Sequence, residues 1–364
     1  MAIISTSEDS DFKTKKQNGQ KKNPNLKSEE TLKDAQFEPS LRPQNLSEYI
    51  GQPRLKELLR VCISAAKKRG DITSVGHFLL YGSPGLGKTS SAIILAKELG
   101  TEAKVFSAPA LSQPKDIIGI LLSLNAGDVL FIDEIHRLNK ITEELLYSAM
   151  EDYVIDLSVG KSQAARVMRL PLNRFILVGA TTSLGSLSSP LRDRFIHTYK
   201  MEFYDFDELI QIIKHTSKIL KYELNEEAAL EIAQRARGTP RIANRLTRLV
   251  RDYSQHENIK LTKMEDAIKA LELFKVDPNG LEETDKALLK VVIEKYNGGP
   301  VGVDALAATM GEERQTIEEC YEPYLLQAGY ITRTSRGRMA TDKAYELLGI
   351  KKQSSDTEQM KMNI

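Results

Sequence analysis

A chain of 364 residues has room for two or three domains, and its 41% hydrophobic and 28% charged residues describe an ordinary globular composition. No apolar run approaches the ~18 residues of a membrane span, and the start, MAIISTSEDSDFKTKK, lacks the apolar centre of a secretory signal, so a cytoplasmic protein is expected, with no membrane contact. Lys and Arg number 51 against 50 Asp and Glu, a net charge of +1, which excludes partners held by overall charge and leaves only local clusters.

In chain order, residues 1–38 are rich in Lys, Glu, Asp, Ser and Asn. They are expected to form a disordered tail, because so few large apolar residues cannot offset the entropy of ordering. Cys62 and Cys320 lack metal-ligand spacing and read as buried, inert thiols of a reducing compartment. LKELLRVCISAAKKRG has helical spacing and stops at Gly70; HFLLYG is a short apolar strand, and SSAIILAKELG a helix closed by Gly100. AKVFSA, DVLFID and FILVGATT are further strands. Nearly all-apolar strands interleaved with helices predict an α/β domain whose parallel sheet is covered on both faces.

YVIDLSVGKSQAARVMRLPL interrupts this alternation as an inserted hairpin. Its Val154, Ile155, Leu157, Val167 and Met168 suggest an exposed apolar surface, the mark of a partner site. DELIQIIKHTSKIL, EEAALEIAQRARG and PRIANRLTRLVRDYSQ predict a small all-α lid. From 281, three helical segments precede YITRTSRGRMATD, two strands around a Ser-Arg-Gly turn, which predicts a C-terminal winged helix. The expected organisation is a tail at 1–38, an α/β domain at 39–204 with its hairpin at about 154–170, a lid at 205–277, a winged helix at 278–350 and a flexible tail at 351–364.

YGSPGLGKTS carries G-x-x-x-x-G-K-[ST] from Gly82 to Thr89, between a strand and a helix. In that setting backbone N–H groups and the helix N-terminus face phosphate oxygens. Gly82, Gly85 and Gly87 let the backbone approach, Lys88 reaches the β- and γ-phosphates, and Thr89 ligates Mg²⁺, with Ser90 beside it. The strand VLFIDE ends in two carboxylates. Asp133 is expected to organise Mg²⁺ and its waters, and Glu134 to orient or deprotonate the attacking water. His136 reads as a supporting or surface residue. ATP and Mg²⁺ are the expected ligands.

The glycine loop, FIDEIHRL, ATT at 180–182, SSPLRDRF at 188–195 and RGTPRIANR at 237–245 are spaced as in the AAA+ ATPases. Within them the set resembles the RuvB family, hexameric motors of Holliday-junction branch migration, from LRPQNLSEYIGQ through RTSRGRMAT. The resemblance implies an AAA+ core, and ATP hydrolysis that drives branch migration in recombination and repair. It implies a homohexamer on the duplex arms of the junction, with RuvA docked at the hairpin and a RuvC-type resolvase as the further partner. It places Leu41 and Arg42 on the adenine side, with Glu151, Asp152 and Tyr153 flanking the same pocket. Tyr204 packs on the base or serves as a core aromatic. Thr182 resembles the first sensor of the γ-phosphate, and Arg241 the second, carried by the lid; Arg241 alone would read as a solvated charge. Arg194 resembles the finger that reaches a neighbouring subunit's nucleotide, with Arg192 as the competing candidate and an Arg194–Asp193 loop pair as the plain reading.

The segment 281–350 holds eight Lys and Arg against twelve Asp and Glu, yet no acid lies between Glu322 and Asp342. A small basic tip on an acidic body suits weak contacts to DNA backbone rather than to bases. The resemblance assigns DNA contact to Arg314, Arg333 and Arg338. The alternative is a clamp-loader type AAA+ ATPase, which would end in a helical collar rather than a winged helix.

Overall fold

The computed structural model describes residues 41–159 and 166–351. It divides into the segment ending at Arg42, of which Leu41 and Arg42 are described, and a body from Pro43 onward. The tails expected at 1–38 and 351–364 lie outside the described residues, apart from Lys351.

In chain order the body begins with α1 (Pro53–Arg69), β1 (Phe78–Tyr81), α2 (Lys88–Leu99), β2 (Ala103–Ser107), α3 (Pro114–Leu122), β3 (Val129–Asp133) and α4 (Lys140–Glu151). The hairpin β4 (Val154–Val159) and β5 (Arg166–Pro171) follows, then β6 (Ile176–Thr181), the short α5 (Ser189–Arg192) and β7 (His197–Lys200). Helix α1 stops where the sequence predicts, because Gly70 turns left-handed and returns its N–H to the Ala66 and Lys67 carbonyls.

β1, β2, β3, β6 and β7 form one parallel sheet in the order β2-β3-β6-β1-β7. Alternate side chains enter two cores. Phe78, Leu80, Phe131 and Val178 pack on one face with Leu59 of α1 and Leu95 of α2. Leu79, Leu130, Ile132 and Leu177 pack on the other with Ile117 of α3 and Leu146 of α4. Continuous apolar strands are the consequence of this two-sided burial. β7 was not legible as a strand, since HTYK alternates half-buried and exposed residues at the sheet edge.

The lid comprises α6 (Phe206–Ile219), α7 (Glu226–Arg235), α8 (Pro240–His256) and α9 (Met264–Leu273), one helix more than the sequence predicts. The two-residue strands β8 (Glu223–Leu224) and β9 (Leu261–Thr262) pair in parallel between them. The winged helix has its own core of Leu288, Leu289, Val292, Leu306, Ile317 and Leu325. It is built on α10 (Glu283–Lys290), α11 (Val303–Met310), α12 (Arg314–Thr316) and α13 (Glu322–Gln327). β10 (Ile331–Thr334) and β11 (Gly337–Ala340) pair antiparallel as the wing, and α14 (Asp342–Leu348) closes the domain.

Lid and winged helix meet at Arg237, which is 9% exposed. Its guanidinium lies 3.0 Å from the fully buried Asp285, 3.4 Å from Glu282, and 4.2 Å above the centre of the Tyr324 ring. Burial pushes the Asp285 carboxyl up, with Arg237 opposing, and the same burial pushes the Tyr324 hydroxyl up to about 12.

Two expectations are corrected here. Ile155, paired with Leu170 near the base of the hairpin, is only 1% exposed and belongs to the core that also holds Met150 and Phe175; Met168 does stand exposed. Residues 160–165 and the side chains of Leu157 and Val167 lie outside what the structure describes. Cys62 is half-buried, but Cys320 is exposed rather than buried. Among the described residues no helix is long and apolar enough to cross a membrane.

Candidate active site

Because the strands run parallel, β1, β3 and β6 finish at one edge, the end where open α/β sheets take ligands. Tyr81 stands opposite Thr181 there, and the Gly82 N–H extends the ladder to the Thr181 carbonyl at 3.1 Å. The loop 82–87 leaves from this edge and enters α2 through Gly87, whose φ of 99° is open to glycine at little cost. At Gly85 a Cβ would stand 2.7 Å from Thr239 Cγ2 and 3.0 Å from Arg241 Cβ. The lid therefore touches the loop directly, and only glycine leaves room for it. Arg241, on the first turn of α8, has its stem against the loop.

Lys88 is 7% exposed, and its Nζ donates to the carbonyls of Gly82 at 2.6 Å and Ser83 at 3.0 Å. Burial lowers its pKa, against the pull of Asp133 and Glu134. The ammonium is thus held beneath the loop with two carboxylates on its far side. Thr89 and Ser90 follow in the first turn, both half-buried. Tyr204 is a core aromatic, 5% exposed, whose hydroxyl donates to the Leu86 carbonyl at 3.3 Å. Tyr49, which the sequence reading passed over, lies beside it and receives the Ser91 hydroxyl at 3.0 Å.

Asp133 ends β3 and accepts the Glu134 N–H at 3.0 Å. Glu134 turns left-handed at φ 52°, which swings its carboxylate out of the strand line. Thr182 Oγ1 donates to that carboxylate at 3.4 Å, and His136 Nε2 lies 3.5 Å from the same oxygen. Burial raises the Glu134 carboxyl, with His136 opposing. Lys88, Asp133, Glu134, Thr182 and Arg241, read from four separate stretches, are brought to one edge of the sheet.

Glu151, Asp152 and Tyr153 are not. Tyr153 packs edge-on against Phe175 and near His77, and the His77 ring bonds the Met150 carbonyl at 3.1 Å. His77 and Phe175 precede β1 and β6, so this cluster sits at the strand starts, opposite the glycine loop. The expectation that it flanks the pocket of its own chain is therefore corrected by the direction of the strands. Arg194 sits at the same end. It donates to Glu151 at 2.8 Å, to the Pro190 carbonyl at 2.8 Å, and stacks 4.7 Å over Tyr147. Its partner is Glu151, not Asp193, and Arg192 stands exposed. Leu41 and Arg42 fall in the separate segment ending at Arg42.

In the wing, Arg333 and Arg336 are exposed, and Arg314 is exposed within reach of Glu318 and Asp304. Arg338 is different. It is 6% exposed, with its guanidinium on Glu322 at 2.7 Å and Glu318 at 3.1 Å. Expected as a DNA contact, it is instead occupied inside the domain, since a buried and doubly paired cation has no face left for a phosphate. Across the hairpin, Arg169 binds Asp156 in a bidentate pair at 2.8 and 2.9 Å.

Comparison with known families gives three consecutive matches: Holliday junction DNA helicase RuvB P-loop domain over 41–201, RuvB AAA lid domain over 204–277, and RuvB C-terminal winged helix domain over 278–349. The RuvB subunit of the Holliday junction branch migration complex of Nostoc punctiforme is 54% identical over 314 residues, 86% of this chain and 85% of that protein. The Synechocystis subunit is 56% identical over 315 residues, 86% and 87% of the two chains. Among solved structures, the Thermotoga maritima RuvB Holliday junction branch migration motor superposes with a TM-score of 0.78 at 48% identity, covering 86% of this chain and 99% of that one. A glycine loop met by its own lid, with a winged helix behind it, thus matches one family domain by domain: the chain belongs to the RuvB family of AAA+ ATPases.

Proposed function

We propose that the chain is one subunit of a cytoplasmic homohexameric ring that hydrolyses ATP to drive branch migration along the duplex arms of Holliday junctions, with RuvA and a RuvC-type resolvase as partners. The observation that carries this reading is the convergence of Lys88, Asp133, Glu134, Thr182 and Arg241 at the glycine loop. Lys88 neutralises the β/γ-phosphates from beneath. Glu134 accepts the proton of the attacking water, a role that its half-buried, raised carboxyl suits. Thr182 and Arg241 register the γ-phosphate from the sheet and the lid.

Among the described residues no group of three or more His, Cys, Asp or Glu could hold a metal alone. The hard-oxygen pair of Thr89 and Asp133 fits Mg²⁺ that takes its remaining ligands from phosphates and water. Held there, Mg²⁺ would supply positive charge that offsets the charge of the phosphates. Leu41 and Arg42 are assigned to the adenine side, and Tyr204 to the core beneath the loop. Arg194 and Glu151–Tyr153, at the opposite end of the sheet, are assigned to the neighbouring subunit's nucleotide. Arg333 and Arg314 are assigned to the DNA backbone, with Arg338 holding the wing in shape. RuvA is assigned to the exposed side of the hairpin, where Met168 stands. A clamp loader would carry a collar where this chain has its winged helix.

The test is a synthetic four-way junction with RuvA added. Junction branch migration that requires both ATP and Glu134 is expected. ATP hydrolysis that neither duplex nor junction DNA accelerates would remove the motor reading.

A further inference from the structure

His136 lies on the single turn Ile135–Arg137 that follows Glu134, with only 5% of its side chain exposed. Its Nδ1 is 2.8 Å from Thr181 Oγ1. That hydroxyl, on the fully buried last residue of β6, already accepts the Ser183 N–H at 3.0 Å. A hydroxyl oxygen that accepts one hydrogen bond still has its own proton to donate. Directed at Nδ1, that proton places the ring N–H on Nε2. Nε2 is buried, makes no hydrogen bond among the described residues, and has the Glu134 carboxylate 3.5 Å away. A buried imidazole N–H beside a carboxylate, both short of ideal distance, is a contact that closes with a small shift of either group.

We propose that His136 is a positioning residue for Glu134, with its tautomer set by Thr181. The chain runs from the Ser183 N–H through the Thr181 hydroxyl and the His136 ring to the Glu134 carboxylate. It brackets Thr182, whose hydroxyl reaches the same carboxylate oxygen. The segment that meets the γ-phosphate and the group that accepts the water's proton are thereby joined through one ring. Movement of residues 181–183 on nucleotide binding moves Nε2, and Nε2 aims the carboxylate. The inference rests on the reading of Glu134 as the base.

The test uses the full-length protein with duplex DNA, measuring ATP binding, kcat and thermal unfolding for His136→Leu, His136→Gln, Thr181→Val and Thr181→Ser. His136→Leu and Thr181→Val are expected to bind ATP as the wild type does while kcat falls roughly 10- to 100-fold, the scale of a misplaced catalytic group. His136→Gln, whose amide N–H replaces the Nε2 donor, and Thr181→Ser are expected to recover most of that loss. The double variant His136→Leu/Thr181→Val should be no slower than the worse single one, because both remove the same chain. Should His136→Leu fail to fold, Thr181→Val decides, since it keeps the ring and its packing. Wild-type kcat in Thr181→Val, with Glu134→Gln inactive, overturns the positioning role and leaves the base intact. Wild-type turnover in Glu134→Gln removes the base itself.

Discussion

The nucleotide edge and the wing tip are both short of residues but differ in how those residues are held. At the edge, Lys88 is gripped by two carbonyls, Glu134 is approached by Thr182 and His136, and Gly85 is roofed by Thr239. At the wing, Arg333 and Arg336 project from a two-stranded ribbon into solvent. A preorganised site loses most of its function with one part, because the remaining parts act only together. A set of exposed cations loses its function in increments, one phosphate at a time.

The comparison breaks first, if it breaks, at the loop. Lys88→Ala should abolish ATP binding measured by calorimetry, and Glu134→Gln should bind ATP but hydrolyse it ~10²–10⁴-fold slower, the range of general-base catalysis. Arg194→Ala should lower kcat by ~10³–10⁵-fold although nothing at its own loop has changed. Mixing Arg194→Ala with Lys88→Ala subunits should restore part of the hydrolysis, since the first supplies an intact loop and the second an intact arginine. Co-assembled rings that stay inactive would return Arg194 to a plain partner of Glu151.

The joint between lid and winged helix tests what burial costs. Arg237→Met leaves Asp285 charged and sealed from water, a loss of about 3–5 kcal/mol read by denaturant unfolding. Arg237→Met/Asp285→Leu should lose less than the single variant, because burial already works against that carboxyl. In the wing, Arg333→Ala should weaken DNA binding equally for all sequences and lower the salt slope by about 0.9, one phosphate contact. Arg338→Ala should instead lower the melting temperature of the domain, because the buried Glu322 loses its cation while Glu318 keeps Arg314. If Arg338→Ala changes only the salt slope, its ion pairs give way to DNA.

The smallest effect concerns His77, which sits on the core side of the sheet with both ring nitrogens engaged. Burial lowers its pKa, so below about pH 6.5 the unfolded chain takes up a proton that the folded chain refuses. Stability is then complete above that pH and falls as acidity rises, by at most about 1.4 kcal/mol per pH unit. His77→Gln should remove this slope.

The glycine loop, four of the five sheet strands and the wing were legible in the sequence because each is local: a spacing, an apolar run, a turn. What escaped is carried by distance along the chain. His136 looks ordinary until β6 brings Thr181 to its ring. Arg338 reads as a wing cation because Glu318 and Glu322, on the turns before it, are invisible as partners until the strands fold back. Glu151 to Tyr153 lie at the far end of the sheet for a reason no short stretch contains, the common direction of five strands. Ile155 counted as a surface residue because the hairpin's register against the core is fixed only by packing.

The Gly85–Thr239 contact and the Arg237–Asp285 pair are separated by one residue of backbone, Gly238, which ties the loop contact to the joint. A lid that turned at the loop would turn α8 with it, and a joint closed by a buried ion pair and a stacked tyrosine would pass that rotation on. Arg237 is then the residue through which any turn of the lid would reach the winged helix.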